Sequence, residues 1–433
     1  MFWFKKLIPA RFFYFLQPIY HFCLAFWAAL FYGFPSRKLV VIGITGTKGK
    51  TTVVELAHKI LEETGAGVAS LSSLRFKIGK SEIRNDKKMT MPGRMFVQKF
   101  LYKAVKQKCK YAVLEVTSEG IKQFRHRFIN FSAALMTNVA PEHLEAHGNF
   151  EKYLRSKLDL FWRLPGGGEA IINRDDPQGI RFSGSTAARK VFYGKNGVEL
   201  NGVFSPIQEI NIDERGIEFE INGQTFFSKL LGEFNFYNIL AALALGASQH
   251  IALEKMARAV AGVAEISGRM EYVLREPFAV VVDYAHTPDS LRKVYMVLRE
   301  LATGNQLFPK CKLICVLGAA GGGRDKWKRP ELGKIAAEFC DEIILTNEDP
   351  YDENPNQILS EIKSGVTSNQ SPTIREILDR QEAIREALKS ARPGDVVIIT
   401  GKGAEPWIMG PRNQKIPWDD REVVKEELGK LKI

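Results

Sequence analysis

The stretch Gly43-Ile44-Thr45-Gly46-Thr47-Lys48-Gly49-Lys50-Thr51-Thr52 has the residue types of a phosphate loop. Such a turn offers backbone N–H groups and a helix N-terminus to phosphates, with Lys50 set against the outer phosphates and the Thr51 hydroxyl on Mg²⁺. The strict spacing would put Gly at position 44, where Ile stands, so the loop is a variant. Glu115 lies near the end of the apolar run Tyr111-Ala112-Val113-Leu114-Glu115-Val116. A carboxylate in a buried strand is costly unless a cation or metal compensates it, which makes Glu115 a Mg²⁺ ligand candidate, with a plain salt bridge as the alternative. His143 follows Thr137-Asn138-Val139-Ala140-Pro141-Glu142, again just past an apolar run, and Lys157 lies on an amphipathic stretch over 150–164. Taken singly, a histidine in that place is structural and such a lysine is solvated.

These residues need elements to position them. From Leu39 onward short apolar runs recur at 39–44, 111–116, 133–137, 170–172, 279–282, 313–317, 342–345 and 396–400, most followed by a polar or Gly-rich turn and a helical pattern. That rhythm predicts an α/β fold with a mostly parallel sheet, whose chemistry sits beyond the carboxyl ends of the strands. Between 198 and 231 the rhythm gives way to alternating segments separated by Asp213-Glu214-Arg215-Gly216 and Asn222-Gly223, an antiparallel patch. An Ala-rich helix over 235–249 follows, and the sheet rhythm restarts at Ala279. The expected organisation is an apolar N-terminal helical segment over 1–38, a P-loop-type central domain over 39–266 and a Rossmann-like C-terminal domain over 267–433.

Composition bounds the class. At 433 residues, with 45% hydrophobic and 25% charged residues, the chain should fold as two or three domains. Its five cysteines form no CxxC pair, which argues against a zinc ribbon or a disulfide framework and for the cytosol. The excess of 61 Lys and Arg over 49 Asp and Glu gives +12, a balance that favours anionic partners. The basic residues read as spread along the chain, with no basic arm or zinc-finger spacing, so nucleic acid is not expected; nucleotides, phosphorylated sugars or an anionic membrane fit. After Lys5, Lys6 and Arg11 comes an almost uncharged run over 12–33, closed by Arg37 and Lys38. The run has the length of a membrane span but is interrupted by Gln17, Pro18 and His21. Membrane association through a spanning, re-entrant or interfacial helix is expected, against a helix packed on the protein or on a partner. With no small-x-small cleavage site, a signal peptide is not expected.

In order and spacing the motifs resemble the Mur ligases, ATP-dependent amide-forming enzymes of peptidoglycan precursor synthesis, from about Val40 to the C-terminus. Besides the loop, the resemblance rests on Leu114-Glu115-Val116-Thr117-Ser118, Thr137-Asn138 with Glu142-His143, and Lys157. Further on it rests on Gly232-Glu233-Phe234-Asn235-Phe236-Tyr237-Asn238, Gly268-Arg269-Met270-Glu271, and Asp283-Tyr284-Ala285-His286-Thr287-Pro288-Asp289. Gly321-Gly322-Gly323-Arg324-Asp325-Lys326 and Gly401-Lys402-Gly403-Ala404-Glu405 complete it. The Tyr-Ala-His-Thr-Pro-Asp and Gly-Arg-Met-Glu blocks look most like the branch that adds the third amino acid, the tripeptide synthetases.

The resemblance implies a reaction and assigns roles. A substrate carboxylate attacks the γ-phosphate of ATP, and an amino acid's amine then attacks the resulting acyl phosphate. ATP would be held by Gly46, Thr47, Lys48, Gly49, Lys50, Thr51, Thr52, Asn138, the pair Asn235 and Asn238, and by Arg269, Asp283 and Lys326. One Mg²⁺ would sit on Thr51 and Glu115, and a second near His143 and a carbamylated Lys157. Lys50, Lys157, His143, Arg269 and Asp283 would be the catalytic set. Thr90, Thr117, Ser118, His286, Arg324 and Asp325 would touch the UDP-N-acetylmuramoyl dipeptide or the amino acid. With the two groups of residues in different domains, ligation is expected to require closure about 262–269.

The chain also departs from the family. Lys48 stands where the family has Asn, Met91 where a second Thr precedes Pro92, and Glu119 where a His follows the Ser-Ser pair. Synthetases that add meso-diaminopimelate carry Asp-Asn-Pro-Arg where this chain has Glu348-Asp349-Pro350-Tyr351. Without that Arg a distal carboxylate lacks its bidentate partner. The carboxylates of Glu348, Asp349 and Glu405 would suit a distal amine, so the expected addition is a diamino acid, lysine over diaminopimelate. No counterpart of the family's uridine-binding N-terminal domain is expected in the 38 residues ahead of the loop, which leaves open a UDP-linked or a lipid-linked acceptor. The competing readings are a folylpolyglutamate- or cyanophycin-synthetase-like ligase and a non-catalytic membrane-associated nucleotide-binding protein. Oligomeric state is not legible.

Overall fold

The β-branched runs become strands buried on both faces, the arrangement that a parallel sheet sandwiched by helices requires. In the computed structural model, which describes residues 10–87, 89–142, 147–304, 311–323, 326–366 and 372–432, all eight expected runs are strands. His143, Arg324 and Asp325 lie outside the described residues. The chain divides into two compact units, Met1–Ile210 with Glu218–Phe227 and Asn235–Gly262, and Asn211–Ile217 with Ser228–Phe234 and Val263–Ile433.

The larger sheet has twelve strands. At its centre β1 (Val40–Thr45) pairs in parallel with Cys109–Glu115 on one side and Phe131–Met136 on the other. Glu169–Asn173 and Arg189–Gly194 extend the parallel part, and Gly197–Leu200, Val203–Asp213, Gly216–Ile221 and Gln224–Ser228 form the expected antiparallel patch. The Asn222-Gly223 turn has both residues at positive φ, 50° and 78°, as a two-residue hairpin of the twist-compatible kind demands. Beyond Cys109–Glu115 the sheet continues through Gly67–Leu71, Arg75–Ile78 and Ser81–Arg84, none of which the apolar pattern signalled.

In the other sheet, Glu271–Leu274 is antiparallel to Ala279–Asp283, and Val396–Thr400, Leu313–Leu317, Glu342–Leu345 and Thr373–Glu376 follow in parallel. Alternation sends Leu313, Cys315 and Leu317 into one hydrophobic core and Ile314 and Val316 into another, so both faces are covered.

The apolar N-terminal run forms α1 (Ala10–Phe31), ended by Gly33 and Phe34 in left-handed conformations, with the Phe34 N–H donating to the Ala29 carbonyl at 2.8 Å. Ala25, Ala28 and Ala29 bury one face, on the side of α3 (Arg94–Lys106). Among the described residues no helix is long and apolar enough to cross a membrane.

Candidate active site

Parallel pairing sets Ile44 of β1 across from Glu115 and Thr45 across from Met136, so the turn that follows emerges between two strand ends. The chain passes through Gly46 to Gly49 into α2 (Lys50–Glu62). Gly49 has φ 83°, and a Cβ there would strike the Asn238 carboxamide; a Cβ on Gly46 would strike the Thr137 hydroxyl. Both positions demand glycine.

Asn138 braces the loop from behind. Its carbonyl accepts from the Thr47 N–H at 2.7 Å, while its side chain accepts from the Lys48 N–H at 3.0 Å and donates to the Lys48 carbonyl at 3.1 Å. Thr137 Oγ1 adds a bond to the same carbonyl at 2.6 Å. Asn238 donates to Asn235 at 3.0 Å, so the Asn pair lies against the loop through Gly49. Lys48 is paired with Glu142 at 2.7 Å.

Lys50 Nζ curls over the loop and donates to the carbonyls of Gly46 at 3.1 Å and Thr47 at 2.8 Å. Thr51, in the first turn of α2, donates to Glu115 at 3.0 Å and exchanges a hydrogen bond with the Ser73 hydroxyl at 2.8 Å. The Ser73 N–H donates to the same Glu115 oxygen at 2.9 Å. Glu115 is buried and accepts from a hydroxyl and a backbone N–H. Among the described residues no three His, Cys, Asp or Glu side chains gather as a ready-made metal cage. A hydroxyl and a carboxylate at the foot of a phosphate loop nevertheless fit Mg²⁺, which keeps several waters and takes its other ligands from phosphate.

Lys157, on the helix Phe150–Trp162, is 1% exposed. Its Nζ donates to the Gly46 carbonyl at 2.6 Å and lies 4.5 Å from the centre of the Tyr153 ring. Burial first, and the nearby Lys50 charge second, hold its pKa well below that of an ordinary lysine. The solvated lysine of the residue-by-residue reading is therefore corrected: the amphipathic helix turns it inward. Tyr153 also shares a hydrogen bond with Thr47 at 2.9 Å.

The remaining expected residues of this unit lie apart from these bonds. Thr52 is buried in α2, and Thr117 caps the short helix Ser118–Lys122 by accepting from the Gly120 N–H at 3.1 Å. Ser118 is buried, and Thr90 is half-buried in the turn before α3, where Arg125 holds the Met91 carbonyl.

In the second unit the Asp283 carboxylate accepts from the N–H groups of Met270 at 2.8 Å and Ala285 at 2.7 Å, and Arg269 stacks 4.2 Å over the Tyr284 ring. The Tyr284 hydroxyl donates to Glu405 at 3.1 Å, and the His286 ring lies 4.6 Å from the Tyr284 ring. Lys402, wholly buried, bridges Asp349 at 2.9 Å and Glu405 at 2.6 Å. The carboxylates expected to face a substrate amine thus already hold an ammonium of the chain itself. Glu348 is buried beside them, and desolvation raises its pKa to about 7, so it is not a fixed negative charge at neutral pH. Lys326 pairs with Glu353 at 3.3 Å.

Sequence reasoning gave no role to Ser73, Tyr153 or Lys402. Lys402 alone left a signal, since it is flanked by Gly401 and Gly403, both at positive φ, where the chain packs too closely for side chains.

Residues 44–246 match the Mur ligase middle domain, and residues 268–403 match the Mur ligase, glutamate ligase domain. The chain is 37% identical over 414 residues to a UDP-N-acetylmuramoyl-L-alanyl-D-glutamate-2,6-diaminopimelate ligase of Gloeobacter violaceus, covering 93% of this chain and 80% of that one. It is 34% identical over 427 residues to a UDP-N-acetylmuramyl-tripeptide synthetase of a Roseiflexus species, covering 93% and 81%. A solved structure of a UDP-N-acetylmuramoyl-L-alanyl-D-glutamate-2,6-diaminopimelate ligase superposes with a TM-score of 0.61 at 28% identity, over 91% of this chain and 79% of that one. Mycobacterium tuberculosis folylpolyglutamate synthase shares the fold, with a TM-score of 0.67 at 17% identity over 86% and 91%. Identity above 30% across four-fifths of such relatives, on a chain whose phosphate loop and buried Lys157 meet at Gly46, means that this chain belongs to the Mur ligase family of amide-bond ligases.

Proposed function

We propose that the chain catalyses ATP-dependent addition of a diamino acid to UDP-N-acetylmuramoyl-L-Ala-D-Glu, in the cytoplasm, as the third residue of a peptidoglycan precursor. The observation that carries this reading is the convergence of Lys50, Thr51, Glu115 and Lys157 on one loop of six residues. The acceptor carboxylate attacks the γ-phosphorus and ADP leaves; the amine then attacks the acyl phosphate carbon and phosphate leaves with the electron pair of the broken C–O bond.

Both steps bring anions or their partial charges together, and the loop answers that. Lys50 exchanges two carbonyl acceptors for phosphate oxygens, while Asn138, by taking the Thr47 and Lys48 N–H groups, fixes the course of the loop that leads the backbone into the N-terminus of α2. Thr51 and Glu115 would hold one Mg²⁺, which supplies charge neutralisation at the phosphates. The family resemblance assigns Asn235 and Asn238 to the adenine, and Arg269, Asp283 and Lys326 to ATP as well. Lys157 is suited to carbamylation because only a neutral amine adds CO₂, releasing one proton, and burial beside Lys50 favours the neutral amine. The carbamate, an anion, would hold a second Mg²⁺ together with His143. Thr90, Thr117, Ser118, His286, Arg324 and Asp325 are assigned to the acceptor and the amino acid.

Of the two common diamino acids we infer lysine over diaminopimelate. The support is now Tyr351 alone, which stands where a guanidinium would pair with a distal carboxylate, since Lys402 engages the acidic residues. Phosphate release with mass spectrometry of products, from protein given ATP, Mg²⁺, the UDP-linked dipeptide and competing amino acids, tests both statements. A product heavier by lysine supports them, preference for diaminopimelate overturns the second, and ATP binding without product from any of the amino acids overturns the first.

A further inference from the structure

The twelve-stranded sheet's unit carries a feature that amide ligation does not use. One side of α1 is closed by Ala25, Ala28 and Ala29; at its margin the part-exposed Phe22 and Phe26 touch Phe128, with centroids 5.1 and 5.4 Å away, and Tyr32, just after the helix, touches Tyr102 of α3 at 5.6 Å. From Leu16 on, the outward side carries Leu16, Ile19, Trp27, Leu30 and Phe31, all exposed, Trp27 by 62% and Phe31 by 75%, with Tyr20 exposed among them. Scattered exposed apolar residues are ordinary, whereas a continuous stripe of them marks an interaction surface.

Charge identifies the occupant. The basic residues are not spread along the chain, as the composition alone suggested. Residues 1–114 hold twenty Lys and Arg against five Asp and Glu, an excess larger than that of the whole chain, and no acidic residue precedes Glu55. On α3 the exposed residues Lys99, Tyr102, Lys103 and Lys106 follow one another at helical spacing, and Lys106 lies 5.5 Å from the ring of the same Tyr102 that touches Tyr32. Arg37 and Lys38 are exposed beyond the end of α1. An apolar stripe with ammonium groups beside it suits a surface of apolar chains under anionic headgroups.

We propose that the α1–α3 face docks on an anionic lipid bilayer, with α1 lying along the surface and not crossing it, because its other side is packed on the protein. Trp27, Leu30 and Phe31 enter the headgroup boundary, while the α3 lysines meet lipid phosphates. The inference goes beyond the ligase activity and does not depend on it.

Flotation of the full chain with vesicles of equal parts phosphatidylcholine and phosphatidylglycerol, and with phosphatidylcholine alone, tests it without any nucleotide. The expected result is binding to the anionic vesicles, release by high salt, and a blue shift of tryptophan emission that Trp27→Phe removes. Trp27→Glu with Phe31→Glu should abolish flotation, and Lys99→Gln with Lys103→Gln and Lys106→Gln should weaken it about a hundredfold. Far-ultraviolet circular dichroism and a thermal melt of both variants in the absence of lipid, unchanged from the parent, show that they are folded. Equal binding to neutral vesicles, or retention through high salt and alkaline carbonate, overturns the proposal, the latter in favour of a spanning helix. A soluble dimer that Trp27→Glu with Phe31→Glu dissociates also overturns it, in favour of a second copy on this face.

Discussion

Two buried ionisable groups have their protonation set by burial, and each allows a test. Lys157 is desolvated and faces Lys50, so its neutral form is favoured. If its carbamate carries charge to a metal, Lys157→Ala loses ligation by at least about a hundredfold and regains part of it with added short carboxylic acids, read as phosphate release; full activity in the variant overturns the assignment. Glu348 moves from 4.5 toward about 7 on folding, with its Oε2 lacking a hydrogen-bond partner among the described residues. A raised carboxyl pKa stabilises the fold fully below about 4.5 and loses that contribution as pH rises through 7, on the order of 3 kcal/mol. Glu348→Gln should therefore flatten the loss and be the more stable protein above pH 7, measured by urea melts on either side of that value. A variant that is weaker at every pH would show that the carboxylate, not the acid, is the group the fold uses.

At the scale of elements, the phosphate loop is a backbone device and should fail through its backbone. Gly49→Ala puts a methyl group into the Asn238 carboxamide at a positive φ, so nucleotide affinity should fall more than about tenfold while circular dichroism is preserved; calorimetric titration with ATP decides. The C-terminal helix Asp420–Leu431 is latched differently, by Arg380 and Asp420, both buried and joined at 2.8 Å through two nitrogens. Removing one partner of such a pair strands a buried charge, so Arg380→Ala should cost about 3–5 kcal/mol and expose that helix to limited proteolysis. The central strands were legible in the sequence because burial on both faces leaves an unbroken apolar run. Ser81–Arg84 was not, being exposed at every residue, nor was Thr373–Glu376, where no side chain is fully buried. Edge strands owe their form to a neighbour's hydrogen bonds, which residue types do not record.

Over the whole molecule, what was legible is what is contiguous in the chain. The loop Gly46 to Thr51 is one motif, and Glu115 and Lys157 could be attached to it by order and spacing. Ser73 reaches Glu115 only because a strand and its turn bring it there, and Lys402 meets Asp349 across fifty-three positions. A net charge of +12 likewise averages away a basic N-terminal region and a balanced remainder. The two units also have separate hydrophobic cores, one built on residues between Leu39 and Ala188 and others on the two faces of the six-stranded sheet. A chain with separate cores need not melt as one. Calorimetry should resolve two transitions, and ATP with Mg²⁺, bound to the native loop and not to the unfolded chain, should raise one by about 2.7 kcal/mol at a hundredfold excess over its dissociation constant. Gly49→Ala should remove that shift and leave the other transition where it was. A single transition that moves as a whole with nucleotide would mean that the two units fold as one cooperative body.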